Sequence, residues 1–280
     1  MPRSGTAFIG VEMISYLGSL WIESAVDKRQ GAKSRDMSTL YLVVTPIGNM
    51  DDITFRALRV LQDVDALACE DTRFTRRIFE RYDLTSPGTI FSCHEHNEAR
   101  AASRIVELLD GGKSVGLCSN GGYPAMSDPG YRVVNAAIEH GHKVEVVPGA
   151  CAVPTALVAS GLATSSYTFK GFPPRKSGPR RRFLEAEKVL PHTLVIFESP
   201  HRVGKLLKDA LDVLGDRCGA VCVELTKRFE KIHRGYLADL VGEFDGKDVK
   251  GEVTVVIAGN NPKFTRESQN ANGAHDPERK

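Results

Sequence analysis

The chain has no glycine-rich dinucleotide fingerprint, no C-x-x-C pair, no metal-ligand set at usable spacing and no run of about 18 apolar residues. Each absence removes a class of protein. Without a long apolar run no transmembrane helix is expected. The stretch "TAFIGVEMISYLGSLWIESAV" is broken by Glu12 and Glu23 and shows no clear small-residue cleavage site. Without C-x-x-C, the six cysteines (69, 93, 118, 151, 218 and 222) read as buried free thiols of a reducing cytosol. "FSCHEHNE" groups Cys93, His94 and His96 but offers no fourth ligand, so no metal is expected. Charge is nearly balanced at +2 over 280 residues, so any basic surface has to be local. The missing fingerprint matters most. The first strand-to-helix turn, "TPIGNMDDIT" (45–54), carries Pro46, Gly48 and Asn49 where a pyrophosphate site would need G-x-G-x-x-G.

What is present is ordinary globular composition, 41% hydrophobic and 26% charged, arranged in alternation. Strand-like "LYLVVT", "ALACE", "TIFSC", "SVGLCS" and "KVEVVP" are separated by helical patterns near 53–65, 72–82, 97–110 and 128–140. That alternation predicts an α/β fold with a mostly parallel sheet. After Pro148-Gly149, "ACAVPTALVASGL" opens a second series. Its strands are "YTFKGF", "TLVIFES", "AVCVELT" and "EVTVVIAG", with helices near 179–189, 202–214 and 236–243. Alternation within "EVTVVI" suits a mixed sheet. The expected organisation is an extension over 1–36, an N-terminal α/β domain over 37–147, a C-terminal α/β domain over 148–262 and a disordered tail over 263–280. A cleft between the two domains is the expected ligand site.

Three turns at strand ends carry chemistry. Gly48 lets a ligand come close to the backbone of the first turn. "SNGGYPAMSDPG" (119–130) packs three glycines and two prolines into twelve residues, and such a loop exposes backbone groups at the carboxyl end of a sheet. "VVPGACA" (146–152) repeats the strand–turn–small-residue pattern. Glu70 and Asp71 end the second strand, and Asp71 also suits a helix N-cap. Glu70 and Lys227 sit outside apolar periodic slots. They are candidate general bases, with a salt bridge and a phosphate contact as their plainer roles. "GFPPRKSGPRRRF" carries Arg175, Lys176, Arg180, Arg181 and Arg182 without an acid, which suits either a solvated loop or an RNA phosphate site.

"TPIGNMDDIT", "CEDTR", "HEHNE", "SDPGYRVV", "PGACAVPTALVASGL", "FKGFPPRK", "FESPHR", "ELTKRFEKIHRG" and "KGEVTVVI" occur in one order. Together they resemble the ribosomal RNA small subunit methyltransferase I family of the tetrapyrrole-methylase superfamily, from about Leu40 to Ile257. The resemblance implies a two-domain α/β homodimer that uses S-adenosylmethionine to 2′-O-methylate a cytidine of the 16S rRNA decoding region, in the cytoplasm. It also implies that Pro46, Gly121, Gly122, Tyr123, Met126, Cys151, Ala152, Glu198 and Gly251 contact the cofactor. The chain departs from the family where Asn120 and Tyr123 replace the aspartate and threonine of S-D-A-G-T-P. Two other classes stay open: a tetrapyrrole methyltransferase of the same fold, and a non-catalytic RNA-binding relative with an altered cofactor loop.

Overall fold

The structure, a computed structural model, describes residues 38–247 and 249–267. The expected extension over 1–36, its apolar stretch and the tail beyond 267 lie outside the described residues. The described residues cluster as one compact unit that contains two five-stranded sheets.

The first sheet is built from β1 (Thr39–Val43), β2 (Ala66–Cys69), β3 (Thr89–Ser92), β4 (Val115–Cys118) and β5 (Lys143–Val147). Its order is β3-β2-β4-β1-β5 and every pairing is parallel. The sequence explains the positions. β2 and β4 are apolar throughout and fully buried, as central parallel strands must be, whereas β3 and β5 carry exposed residues at the two edges. Helices α1 (Phe55–Asp63) and α2 (Thr72–Arg81) cover one face, packing Leu58, Leu61, Ile78 and Phe79 against Val43, Leu67, Cys69 and Cys118. Helices α3 (Glu98–Asp110) and α4 (Tyr131–Glu139) cover the other, with Ile105, Leu109 and Val133 against Leu40, Leu42 and Leu117. Thr54 and Asp71 cap α1 and α2 by accepting from the Ala57 and Arg73 N–H groups. Neighbouring β1 and β4 therefore send their chains to opposite faces. The crevice between their carboxyl ends is a topological switch point.

The second sheet holds β6 (Tyr167–Phe169), β7 (Thr193–Glu198), β8 (Cys218–Val223), β9 (Lys231–Tyr236) and β10 (Val253–Ile257), in the order β6-β7-β10-β8-β9. Only β6 and β7 pair in parallel, so the sheet is mixed. Helix α5 (Ala152–Ser160) packs Val153, Ala156 and Leu157 on one face against Val195, Ala220 and Val256. Helices α6 (Ser177–Glu185), α7 (Val203–Leu214) and α8 (Leu237–Phe244) cover the other face through Leu184, Leu206, Leu207, Leu237 and Leu240. No described helix is long and apolar enough to cross a membrane.

Two features stand outside the sequence reading. "KIHRGY" forms the edge strand β9, although its lysine, histidine, arginine and glycine are poor strand signals. It pairs along its whole length with β8, which supplies the hydrogen bonds that the local sequence does not advertise. Residues 263–267, expected to belong to a disordered tail, are built into the fold. A 3₁₀ turn at Pro262–Phe264 leads to Arg266, which pairs with Asp216 at 2.9 Å and with Asp239. These partners are distant in sequence, so polar composition alone misjudges these residues.

Candidate active site

A cleft of about 710 Å³ opens at the carboxyl ends of β1, β2 and β4 and is walled on its far side by β7, β8, β10 and the start of α5. Pro46, Gly121, Gly122, Tyr123, Met126, Cys151, Ala152, Glu198 and Gly251 all line it, as do Glu70 and Lys227. The first turn and the 119–130 loop are fastened to each other. Thr45 and Gly122 exchange both backbone hydrogen bonds, at 3.2 and 3.0 Å, and the Thr45 hydroxyl donates to the Ser119 carbonyl at 3.1 Å.

The glycines serve a purpose other than the expected one. A Cβ on Gly48 would lie 2.5 Å from Lys227 Cγ and 2.8 Å from the Leu225 carbonyl oxygen. The close approach at Gly48 is made by the chain's own 225–227 segment. Gly122 takes a φ of +79°, open to glycine at no cost, and spends its N–H and C=O on Thr45 rather than on a ligand. Gly121 lies against the Pro46 carbonyl, 3.4 Å from where its Cβ would stand. This glycine pair thus lets two turns pack edge to edge, and Tyr123 projects beside them into the cleft wall.

Backbone strain concentrates at this cleft. Among the described residues five non-glycine residues have positive φ, and four of them, Ala125, Ser127, Glu224 and Thr226, belong to two loops that border it. Such conformations cost about 1–3 kcal/mol each and persist where the surroundings fix them.

Four charged or polar groups define its electrostatics. The Glu70 carboxylate accepts from the Asn120 N–H at 3.1 Å. Asp128, in the 119–130 loop but not among the candidates read from the sequence, lies on the cleft wall. Burial and then the charge of Glu70 push its pKa up to about 6. Helix α4 does not use Asp128 as a cap, because Glu98 Oε1 accepts from the Gly130 and Arg132 N–H groups, both at 2.9 Å. Glu198 is buried; its Oε1 accepts from Ser199 N–H at 2.6 Å and from Arg202, and burial drives its pKa up against those two bonds. Its Oε2 and the Asn120 Oδ1 are buried without a hydrogen-bond partner.

Lys227 is unsuited to the base role. It donates to Glu224 at 2.7 Å and to Glu252 at 3.0 Å. Burial opposes its charge, but these bonds outweigh burial and hold the ammonium above its usual pKa. A lysine kept charged cannot accept a proton at neutral pH.

The basic segment also divides. Arg180 is 2% exposed, hydrogen-bonded through Nε to Asp209 at 2.7 Å and through Nη1 to the Arg175 carbonyl at 3.1 Å. It is a structural ion pair and not a phosphate contact. Arg181 is drawn to Asp212 at 2.8 Å and Asp209 at 3.5 Å. Arg175, Lys176 and Arg182 remain exposed, and none of the five lines the cleft. "HEHNE" is a turn: the Asn97 side chain accepts from His94 N–H at 2.8 Å and donates to the Ser92 carbonyl at 3.1 Å. Among the described residues no group of three or more His, Cys, Asp or Glu could hold a metal ion.

The cleft thus lies at a topological switch point between a parallel and a mixed sheet. Residues 39–241 match the tetrapyrrole (corrin/porphyrin) methylases, and the chain belongs to that family. Solved structures of like fold include a uroporphyrin-III C-methyltransferase from Thermus thermophilus (TM-score 0.56, 22% identity, 78% of this chain and 94% of that one) and a diphthine synthase (TM-score 0.60, 17% identity, 79% and 90%). Closer likeness is to proteins named ribosomal RNA small subunit methyltransferase I. That of Halalkalibacterium halodurans is 44% identical over 232 residues, 83% of this chain and 80% of that protein. That of Mesorhizobium japonicum is 46% identical over 220 residues, 78% and 74%. The chain is a member of the ribosomal RNA small subunit methyltransferase I family and a methyltransferase.

Proposed function

We propose that the cleft holds S-adenosylmethionine and that the enzyme methylates the ribose 2′-hydroxyl of a cytidine in the decoding region of 16S rRNA. The observation that carries this reading is the pair of buried acceptors, Asn120 Oδ1 and Glu198 Oε2, that lack partners among the described residues. An unpaired buried acceptor costs about 1–3 kcal/mol, and donor groups of a bound ligand relieve that cost. Ile47, Met126, Phe197 and Leu225 supply apolar wall in the same cleft, which fits a ligand with amino groups, a flat ring and a thioether-like centre. Pro46, Gly121, Gly122, Tyr123, Cys151, Ala152 and Gly251 complete the enclosure.

When bound, this cofactor supplies an already activated sulfonium methyl group. The chain's residues then have two tasks. One is to hold the 2′-hydroxyl in line, which can be worth about 7–11 kcal/mol in well-oriented systems. The other is to take its proton. Asp128, with its pKa raised to about 6 by burial and then by the charge of Glu70, is ionised at neutral pH yet basic enough to accept a proton; Glu70 is held in place by the Asn120 N–H. Lys227, held as a cation, offers charge to an approaching phosphate. The family resemblance carries the small ribosomal subunit as partner, a homodimer and a cytoplasmic setting.

The test is a map of 2′-O-methylation on small-subunit rRNA from cells with and without the protein. One decoding-region cytidine should lose its 2′-O-methyl group in its absence. Identical maps contradict the proposal.

A further inference from the structure

We propose that the RNA strand enters the cleft along an adjoining open groove, seated on Arg77, Arg228 and Phe229. This rests on RNA being the substrate. The groove, about 600 Å³, runs between the Gly48–Asp51 turn, Arg81 and the Thr226–Arg228 segment. It shares Gly48, Met50 and Lys227 with the cleft, so the two are continuous.

Most cations nearby are already engaged. Arg81 pairs with Asp51 at 3.1 Å, Arg73 with Asp71 at 2.8 Å and Lys227 with two glutamates. Arg77, on the exposed face of α2 and at the cleft wall, and Arg228, on the groove wall, are exposed and make no ion pair among the described residues. Free arginines flanking an entrance are what a phosphate backbone recognises.

Phe229 adds the second requirement of single-stranded RNA, an aromatic face. It is 71% exposed, and Arg228 lies 5.5 Å from its ring centroid. The turn that presents it is firmly built. Lys227 N–H donates to the Glu224 carbonyl and Glu230 N–H to the Lys227 carbonyl, both at 3.0 Å, while the Glu230 carboxylate accepts from Thr226 N–H at 2.6 Å. A solvent-facing ring on a braced turn, beside a guanidinium outside any ion pair, is a stacking platform for the base next to the target nucleotide.

The experiment uses small ribosomal subunits isolated from cells lacking the enzyme, with Phe229→Ala, Arg228→Glu and Arg77→Glu against the native chain. Each variant should raise KM for subunits about tenfold, with kcat within about threefold. Calorimetry should leave S-adenosylmethionine affinity unchanged in Phe229→Ala and Arg228→Glu. The salt slope of kcat/KM should flatten by about one for each arginine lost and stay as it was for Phe229→Ala. Lys113→Glu, at the opposite end of β4, applies the same charge change away from the groove and sets the electrostatic background. Groove variants that match Lys113→Glu overturn the proposal, as does loss of cofactor binding in Phe229→Ala or Arg228→Glu. A native chain that methylates no subunit fails in the control itself, and then the substrate reading falls first and the groove with it.

Discussion

At the scale of single residues, the site turns on where carboxylates find their partners. Asp128 is free to act because Glu98 caps α4 in its place. In the folded state its pKa is raised to about 6 from 3.8, so the ionised form is disfavoured by folding. That penalty is absent below pH 3.8, grows as pH rises toward 6 and is complete above it. Catalysis needs the ionised form, so kcat/KM should fall as pH drops through about 6. Asp128→Asn should lower kcat by about 10²–10⁴-fold, abolish that acidic limb and leave thermal stability at pH 8 equal or higher. A variant that keeps the limb removes Asp128 from the base role.

Arg180 gives the opposite case. Removing it strands Asp209 in a buried position, so Arg180→Ala should cost about 3–5 kcal/mol in a urea titration. Lys176→Ala, at an exposed site of the same segment, should stay within about 0.5 kcal/mol. Spacing makes these two residues look alike. Only the fold brings Asp209 to one of them. Asp128 is obscured for a related reason, since Ser-Asp-Pro-Gly also spells a helix start, and Lys227 because one of the two carboxylates that hold its charge, Glu252, comes from across the chain beside the local Glu224.

At the scale of elements, nine of the ten described strands are legible as strand-like runs, most plainly β2, β4, β7, β8 and β10, where burial on both faces leaves little choice of residue. β9 stayed hidden, since an edge strand with polar side chains takes its hydrogen bonds from β8. The three cleft turns were visible as glycine and proline clusters, but not their packing. Gly48→Ala tests that packing. Its Cβ meets backbone and side chain of 225–227, so the variant should lose about 1–3 kcal/mol and weaken cofactor binding together. Unchanged stability would mean that the 225–227 segment yields freely. In the neighbouring loop, Asn120→Asp with Tyr123→Thr should shift S-adenosylmethionine affinity by less than tenfold, about 1.4 kcal/mol, since Gly121 and Gly122 fix the loop against the first turn regardless of those side chains. A native chain without affinity beside a double variant that binds would identify a pocket closed by Tyr123.

At the scale of the whole molecule, two sheets meet around one cleft, and ligand affinity adds directly to their stability. S-adenosylmethionine at 100 times its Kd should stabilise the fold by about 2.7 kcal/mol. The central claim is that this cleft moves a methyl group onto rRNA ribose. The direct measurement incubates the native chain with methyl-labelled S-adenosylmethionine and unmodified small subunits, then digests the rRNA and resolves its nucleosides. The account predicts label in 2′-O-methylcytidine, and a loss of about 10²–10⁴-fold in its rate of appearance for Asp128→Asn. Label on a base, or no label in rRNA, would contradict it.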